Sequence, residues 1–77
     1  MDIKAVTEQF AARRWKTATV LCMSDDAFAL VFDDVDGQRQ ILTLARSEEP
    51  KVFRSADGAL ADARRIGFRE VKVFFGA

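Results

Sequence analysis

The sequence predicts a small two-layer α+β domain. Two helices pack on one face of a four-stranded, mostly antiparallel sheet, in the order α-β-β-β-α-β. Three observations predict it. Residues 52–75 read as a capped helix, a glycine stop and a strand. Residues 17–45 read as strands separated by turn chemistry. Residues 3–14 place apolar side chains at helical spacing behind a capping aspartate.

The first helix opens at Asp2, whose short carboxylate suits an N-cap. Ile3, Val6 and Phe10 follow at spacings of three and four, Ala11 extends the stripe, and the helix is expected over roughly 3–14. Thr17 to Met23 is rich in β-branched and apolar residues and reads as a strand. Ser24-Asp25-Asp26 is a turn cluster. From Ala27 to Phe32 both alternating sets are apolar, which places that strand in the middle of the sheet. Asp33-Asp34-Val35-Asp36-Gly37 is a hairpin loop, because Asp-Gly supplies the positive φ of a tight turn. A third strand is expected from Gln38 to Ala45.

The polar stretch Arg46–Lys51 holds the only proline and forms a loop. Val52-Phe53 reads as a short strand or as a hydrophobic staple for the next helix. Ser55 is the N-cap, and Asp57 favours the positive end of the helix dipole. Ala56, Ala59, Leu60, Ala63 and Ile66 form the apolar stripe. Gly67 stands where a left-handed residue ends a helix. Val71, Val73 and Phe75 then alternate with Glu70, Lys72 and Phe74 as a fourth strand, expected beside strand 1 at the sheet edge.

The chain has 77 residues, room for one domain spanning 1–77. So short a chain buries only about 60% of its unfolded surface. A 49% hydrophobic content with seven phenylalanines still builds a core. A dimer interface would enlarge it. The single cysteine allows no internal disulfide and fits a reducing cytoplasm, the expected location. No 18-residue apolar run exists to span a membrane, and Met1-Asp2-Ile3-Lys4 lacks the apolar core of a signal peptide.

Net charge is zero, but charge is segregated along the chain. Residues 1–24 carry Lys4, Arg13, Arg14 and Lys16 against Asp2 and Glu8. Residues 25–49 carry only Arg39 and Arg46 against a run of aspartates and two glutamates. Residues 50–77 are basic again. If the two ends meet in space, the fold has a basic side.

The chemistry-bearing residues are few. The chain has no histidine, which removes Ser-His and His-metal arrangements, and Cys22 sits between Leu21 and Met23 as a packing cysteine. The acidic hairpin lacks the ligand spacing of a calcium loop, with Phe32 and Thr43 at its first and last ligand positions, and reads as a solvated turn. No cofactor, metal or small-molecule ligand is expected, and no enzymatic activity. Arg13-Arg14-Trp15-Lys16 sets basic residues beside an aromatic, a combination that suits phosphate contact and base stacking. The competing reading is a basic helix end with Trp15 packed into the fold. Arg64, Arg65, Arg69 and Lys72 form a second basic group. Phe74 and Phe75 face opposite ways on a strand, so Phe74 is expected to be exposed and available for self-association.

The order α-β-β-β-α resembles a double-stranded RNA-binding domain. The lysine-rich start of that family's second helix is replaced here by Ser55-Ala56-Asp57-Gly58, and a fourth strand is added. Gln9 to Trp15, Leu44-Ala45-Arg46, Val52 to Asp57 and Arg65 to Phe68 resemble small partition-associated accessory proteins of proteobacterial plasmids, the ParC-like group. That resemblance implies a plasmid-maintenance helper acting beside a partition ATPase or a DNA-binding protein. None of the matching stretches is a catalytic or ligand signature, so no binding residue carries over.

The expected function is thus a non-enzymatic interaction module. It binds another protein, or a second copy of itself, through an edge strand or helix face. The alternative is a nucleic-acid-binding accessory using Arg13, Arg14, Trp15, Lys16, Arg64, Arg65, Arg69 and Lys72.

Overall fold

The computed structural model describes residues 1–76. Its elements follow the expected order: α1 (Ile3–Ala11), β1 (Trp15–Ser24), β2 (Ala27–Asp34), β3 (Arg39–Ile41), α2 (Ala56–Ile66) and β4 (Lys72–Phe75). The sheet runs β3-β2-β1-β4. β2 is antiparallel to both β1 and β3, whereas β4 joins β1 in parallel.

Both helices are capped as the sequence predicts. Asp2 accepts from the Ala5 N–H at 3.0 Å, and Ser55 accepts from the Gly58 N–H at 3.3 Å. Helix α1 ends earlier than the apolar spacing implies. Arg13 takes a left-handed φ of 59°. Its N–H donates to Phe10 O at 2.9 Å and the next N–H, of Arg14, donates to Gln9 O at 3.0 Å. That paired closure is a Schellman motif with arginine in the position glycine usually takes. Gly67 closes α2 at φ 129°. A Cβ there would lie 2.6 Å from the Phe10 ring, so glycine also lets α1 approach.

The core lies between the helices and one sheet face. Ala18 and Val20 of β1 stand opposite Phe32 and Leu30 of β2. Val6, Ala59, Ala63 and Ile66 of the helices close over them. Phe32 is fully buried, and burying one such side chain contributes about 1.5–3 kcal/mol. Four aromatics join the parts: Phe32 stacks on Phe68 at 5.6 Å, Phe68 meets Phe10 edge-on at 4.8 Å, and Trp15 tilts over Phe32 at 5.3 Å. Phe68 thereby fixes where the chain enters β4.

Two further expectations are corrected. The third strand is three residues long rather than Gln38–Ala45, because the chain leaves the sheet after Leu42, whose N–H still reaches Leu30 O at 2.8 Å. Phe53 then takes the place beside β2 and exchanges both backbone hydrogen bonds with Phe28, at 2.9 and 2.7 Å. On α2 the buried stripe includes Asp62 and omits Leu60, which is exposed. Positions 59, 62, 63 and 66 recur at spacings of three and four, so geometry puts a carboxylate in that stripe.

Candidate interaction surface

Opposite the helices the sheet presents a face with no helix over it. The pleat sends Thr17, Thr19 and Leu21 of β1 to that side, together with the residues paired to them: Asp33, Val31 and Ala29 of β2, and Lys72 and Phe74 of β4. Thr17, Thr19, Leu21, Asp33, Arg39, Lys72, Val73 and Phe74 line a shallow open groove of about 630 Å³. Its polar end is self-satisfied. Arg39 reaches both carboxylate oxygens of Asp33, at 2.9 and 3.2 Å, and Thr17 Oγ1 donates to Asp33 at 3.3 Å. The guanidinium holds the Asp33 carboxyl below the usual aspartate range, and Asp33 in turn raises Arg39. Toward Leu21 and Phe74 the groove becomes apolar.

β4 is exposed along its whole length. Phe74 is 58% exposed on the open face, and Phe75 is 77% exposed on the helix side. Only Phe74 was expected outside. Phe75 joins it because α2 packs over β1 and β2, leaving the far end of β4 without a covering layer. The backbone adds a polar component. The Gly76 N–H donates to Cys22 O at 3.3 Å, so Gly76 turns its backbone toward β1. Successive residues of an extended strand turn opposite ways, which directs the N–H and C=O of Val73 and Phe75 to the open edge.

The opposite sheet edge is partly covered. The Met1 nitrogen donates to Ile41 O at 3.3 Å, and Met1 O accepts from the Thr43 N–H at 2.9 Å. Beyond it, the Lys51 backbone N–H donates to Leu42 O at 2.9 Å, and Phe53 pairs with Phe28 on the β2 edge. This covering segment is tied to α2 by Asp62, which receives Lys51 Nζ at 2.7 Å and Arg65 at 3.4 Å. Nothing in the sequence pattern singled out Asp62, since its partner Lys51 comes from a loop.

The basic residues singled out in the sequence are dispersed. Trp15 turns inward: its indole N–H donates to Val6 O at 2.9 Å and its ring lies on Phe32. Arg14 is paired with Asp36 at 2.6 Å, and Arg65 with Asp62. Arg13 closes α1. Arg64 lies on the outer side of α2 beside Asp57 and Leu60. Arg69 is exposed in the turn before β4. Lys16 and Lys72 do come together, in a depression of about 290 Å³ that also contains Glu70. Both also border the Asp33-Asp34-Val35-Asp36-Gly37 segment. The two ends of the chain therefore meet at a surface of mixed sign.

The acidic hairpin itself is occupied internally. Asp34 accepts from the Asp36 and Gln38 N–H groups, each at 2.9 Å, and Gly37 takes a φ of 83°. Among the described residues no group of three acidic or thiol side chains could hold a metal ion, and no helix is long and apolar enough to cross a membrane.

Comparison with known proteins gives no match: no family model, no curated protein and no solved structure is similar to this chain.

Proposed function

We propose that this chain is a non-enzymatic protein-interaction module that captures its partner by adding a strand to β4. The reading is supported chiefly by the bare β4 edge, where Phe74 and Phe75 are 58% and 77% exposed. Strand addition draws affinity from main-chain hydrogen bonds and specificity from flanking side-chain contacts. The outward N–H and C=O groups of Val73 and Phe75 would supply the first. The groove beside Leu21 and Phe74 would supply the second. The setting in this proposal is the bacterial cytoplasm. Plasmid or mobile-element maintenance is what the resemblance to ParC-like accessory proteins implies.

The test is a photoreactive residue at position 75 of the full chain in cells, with the same residue at exposed position 8 as the control. Adducts to another polypeptide from position 75 and not from position 8 are expected. Equal yields from both, or none from 75, would overturn the reading.

A further inference from the structure

We infer that the occupant of the β4 edge is a second copy of this chain, bound antiparallel about a two-fold axis through Phe74. The inference rests on the strand-addition reading above and names its partner.

The backbone is self-complementary in one way that also suits the side chains. Val73 and Phe75 turn their N–H and C=O groups outward. In an antiparallel pair, Val73 of one copy can stand opposite Phe75 of the other and exchange two hydrogen bonds with it. Two-fold symmetry repeats the exchange, giving four bonds. Phe74 then faces its own counterpart as a non-hydrogen-bonded pair, whose Cα atoms lie about 4.5 Å apart with side chains close. On the open face the two Phe74 rings meet. On the helix side each Phe75 packs against the partner's Val73, an aromatic and β-branched pair. This register uses all three exposed apolar residues of β4: Val73 at 43%, Phe74 at 58% and Phe75 at 77%.

Charge disfavours the neighbouring register about Val73. Lys72 falls opposite Gly76, where no side chain obstructs its ammonium group. Shifting the axis to Val73 would set Lys72 against Phe74 and bring the two lysines within one diagonal step. The pairing also closes. The two-fold pairing consumes the bare β4 edge of both copies, and Met1 and Phe53 occupy part of the far edge. The product is an eight-stranded sheet with all four helices on one side.

The register is read by disulfide trapping in a Cys22→Ser background. Phe74→Cys puts two thiols about 4.5 Å apart at Cα, within the bridging range. Val73→Cys puts them two residue rises, roughly 7 Å, out of step along the strand, beyond it. Light scattering at high micromolar concentration is expected to give a dimer. Mild oxidation is expected to trap Phe74→Cys and not Val73→Cys. Phe74→Arg is expected to weaken association about tenfold or more, since it sets two like charges face to face, with an unchanged circular dichroism melt on dilute, monomeric protein. Val73→Pro, which removes an outward donor and no bond to β1, should weaken association likewise. A monomer, a dimer trapped through Val73→Cys, or a dimer trapped at neither position overturns the inference. A monomer that still forms adducts to a different polypeptide from position 75 overturns only the choice of partner. A monomer forming none overturns the strand-addition reading as well.

Discussion

The two edges of this sheet are built from strands of similar length, yet they are finished differently. β3 has three residues and β4 has four. The Ile41 carbonyl and Thr43 N–H beyond β3 are both taken by Met1, and Phe53 pairs with what remains of the β2 edge. At β4 the outward groups of Val73 and Phe75 face solvent beside two exposed phenylalanines. Folded proteins ordinarily blunt such an edge with charge, proline or a covering segment. Covering part of one edge with Met1 and the segment that runs from Thr43 to Phe53, and leaving aromatics on the other, separates a structural edge from an interaction edge within one small sheet.

The largest effect should come from uncovering the finished edge. Phe53 is 8% exposed, and Phe53→Ala is expected to cost about 3–5 kcal/mol in urea unfolding. Phe75→Ala, at the bare edge, should stay within about 0.5 kcal/mol when measured on dilute protein. Comparable losses at both positions would erase the distinction. Next comes the tie between the covering segment and α2. Asp62→Ala leaves Lys51 and Arg65 without their carboxylate, and a loss of about 1–3 kcal/mol is expected in the same assay. The discount from a fully buried pair reflects Lys51, whose side chain is 37% exposed.

A smaller change of opposite sign should come from Thr43, whose buried hydroxyl has no hydrogen-bond partner among the described residues. Thr43→Val keeps the shape, removes that unsatisfied group and is expected to raise stability by about 1 kcal/mol in thermal unfolding. The capped edge should also respond to acid. Asp2 accepts from the Ala5 N–H and from the Arg46 N–H, and these bonds hold its carboxyl below the usual 3.8. Arg39 does the same for Asp33. A lowered folded-state pKa means stability present above pH 3.8 and lost as pH falls below it, since the folded form resists the proton that the unfolded form takes up. Urea midpoints measured across that range should decline, and Asp2→Asn should flatten the decline.

The smallest expected effect is on DNA. Arg14 and Arg65 are ion-paired, Trp15 is packed into the fold, and Lys16 and Lys72 border acidic residues. Fluorescence anisotropy of a labelled duplex should show no saturable binding near physiological salt. Binding with a steep salt slope would reassign the functional surface to the basic residues.

The local grammar of the chain was legible because it depends on neighbours in sequence. Asp2 and Ser55 cap helices through bonds three residues away, and Gly37 and Gly67 answer backbone demands at single positions. Alternation placed β2 inside the sheet, and the crossover through α2 put β4 at the edge beside β1. The candidate surface was partly legible. Phe74-Phe75 on a final strand must expose at least one ring. That both are exposed depends on how far α2 extends over the sheet.

Sequence by itself determined the element order, the caps, the central strand and the aromatic edge, because periodicity and turn chemistry act over a few residues. Tertiary structure alone decided which edge is closed, where the charges find partners and which carboxylate lies buried. Met1 meets Thr43, Phe53 meets Phe28, Arg14 meets Asp36 and Lys51 meets Asp62 only after the chain has folded back on itself. The basic run at Arg13–Lys16 looks like one site when extended. In the fold it becomes a helix stop, an ion pair, a half-buried aromatic and a surface lysine beside Glu70 and Lys72, because each successive residue along a turning backbone points to a different part of the molecule.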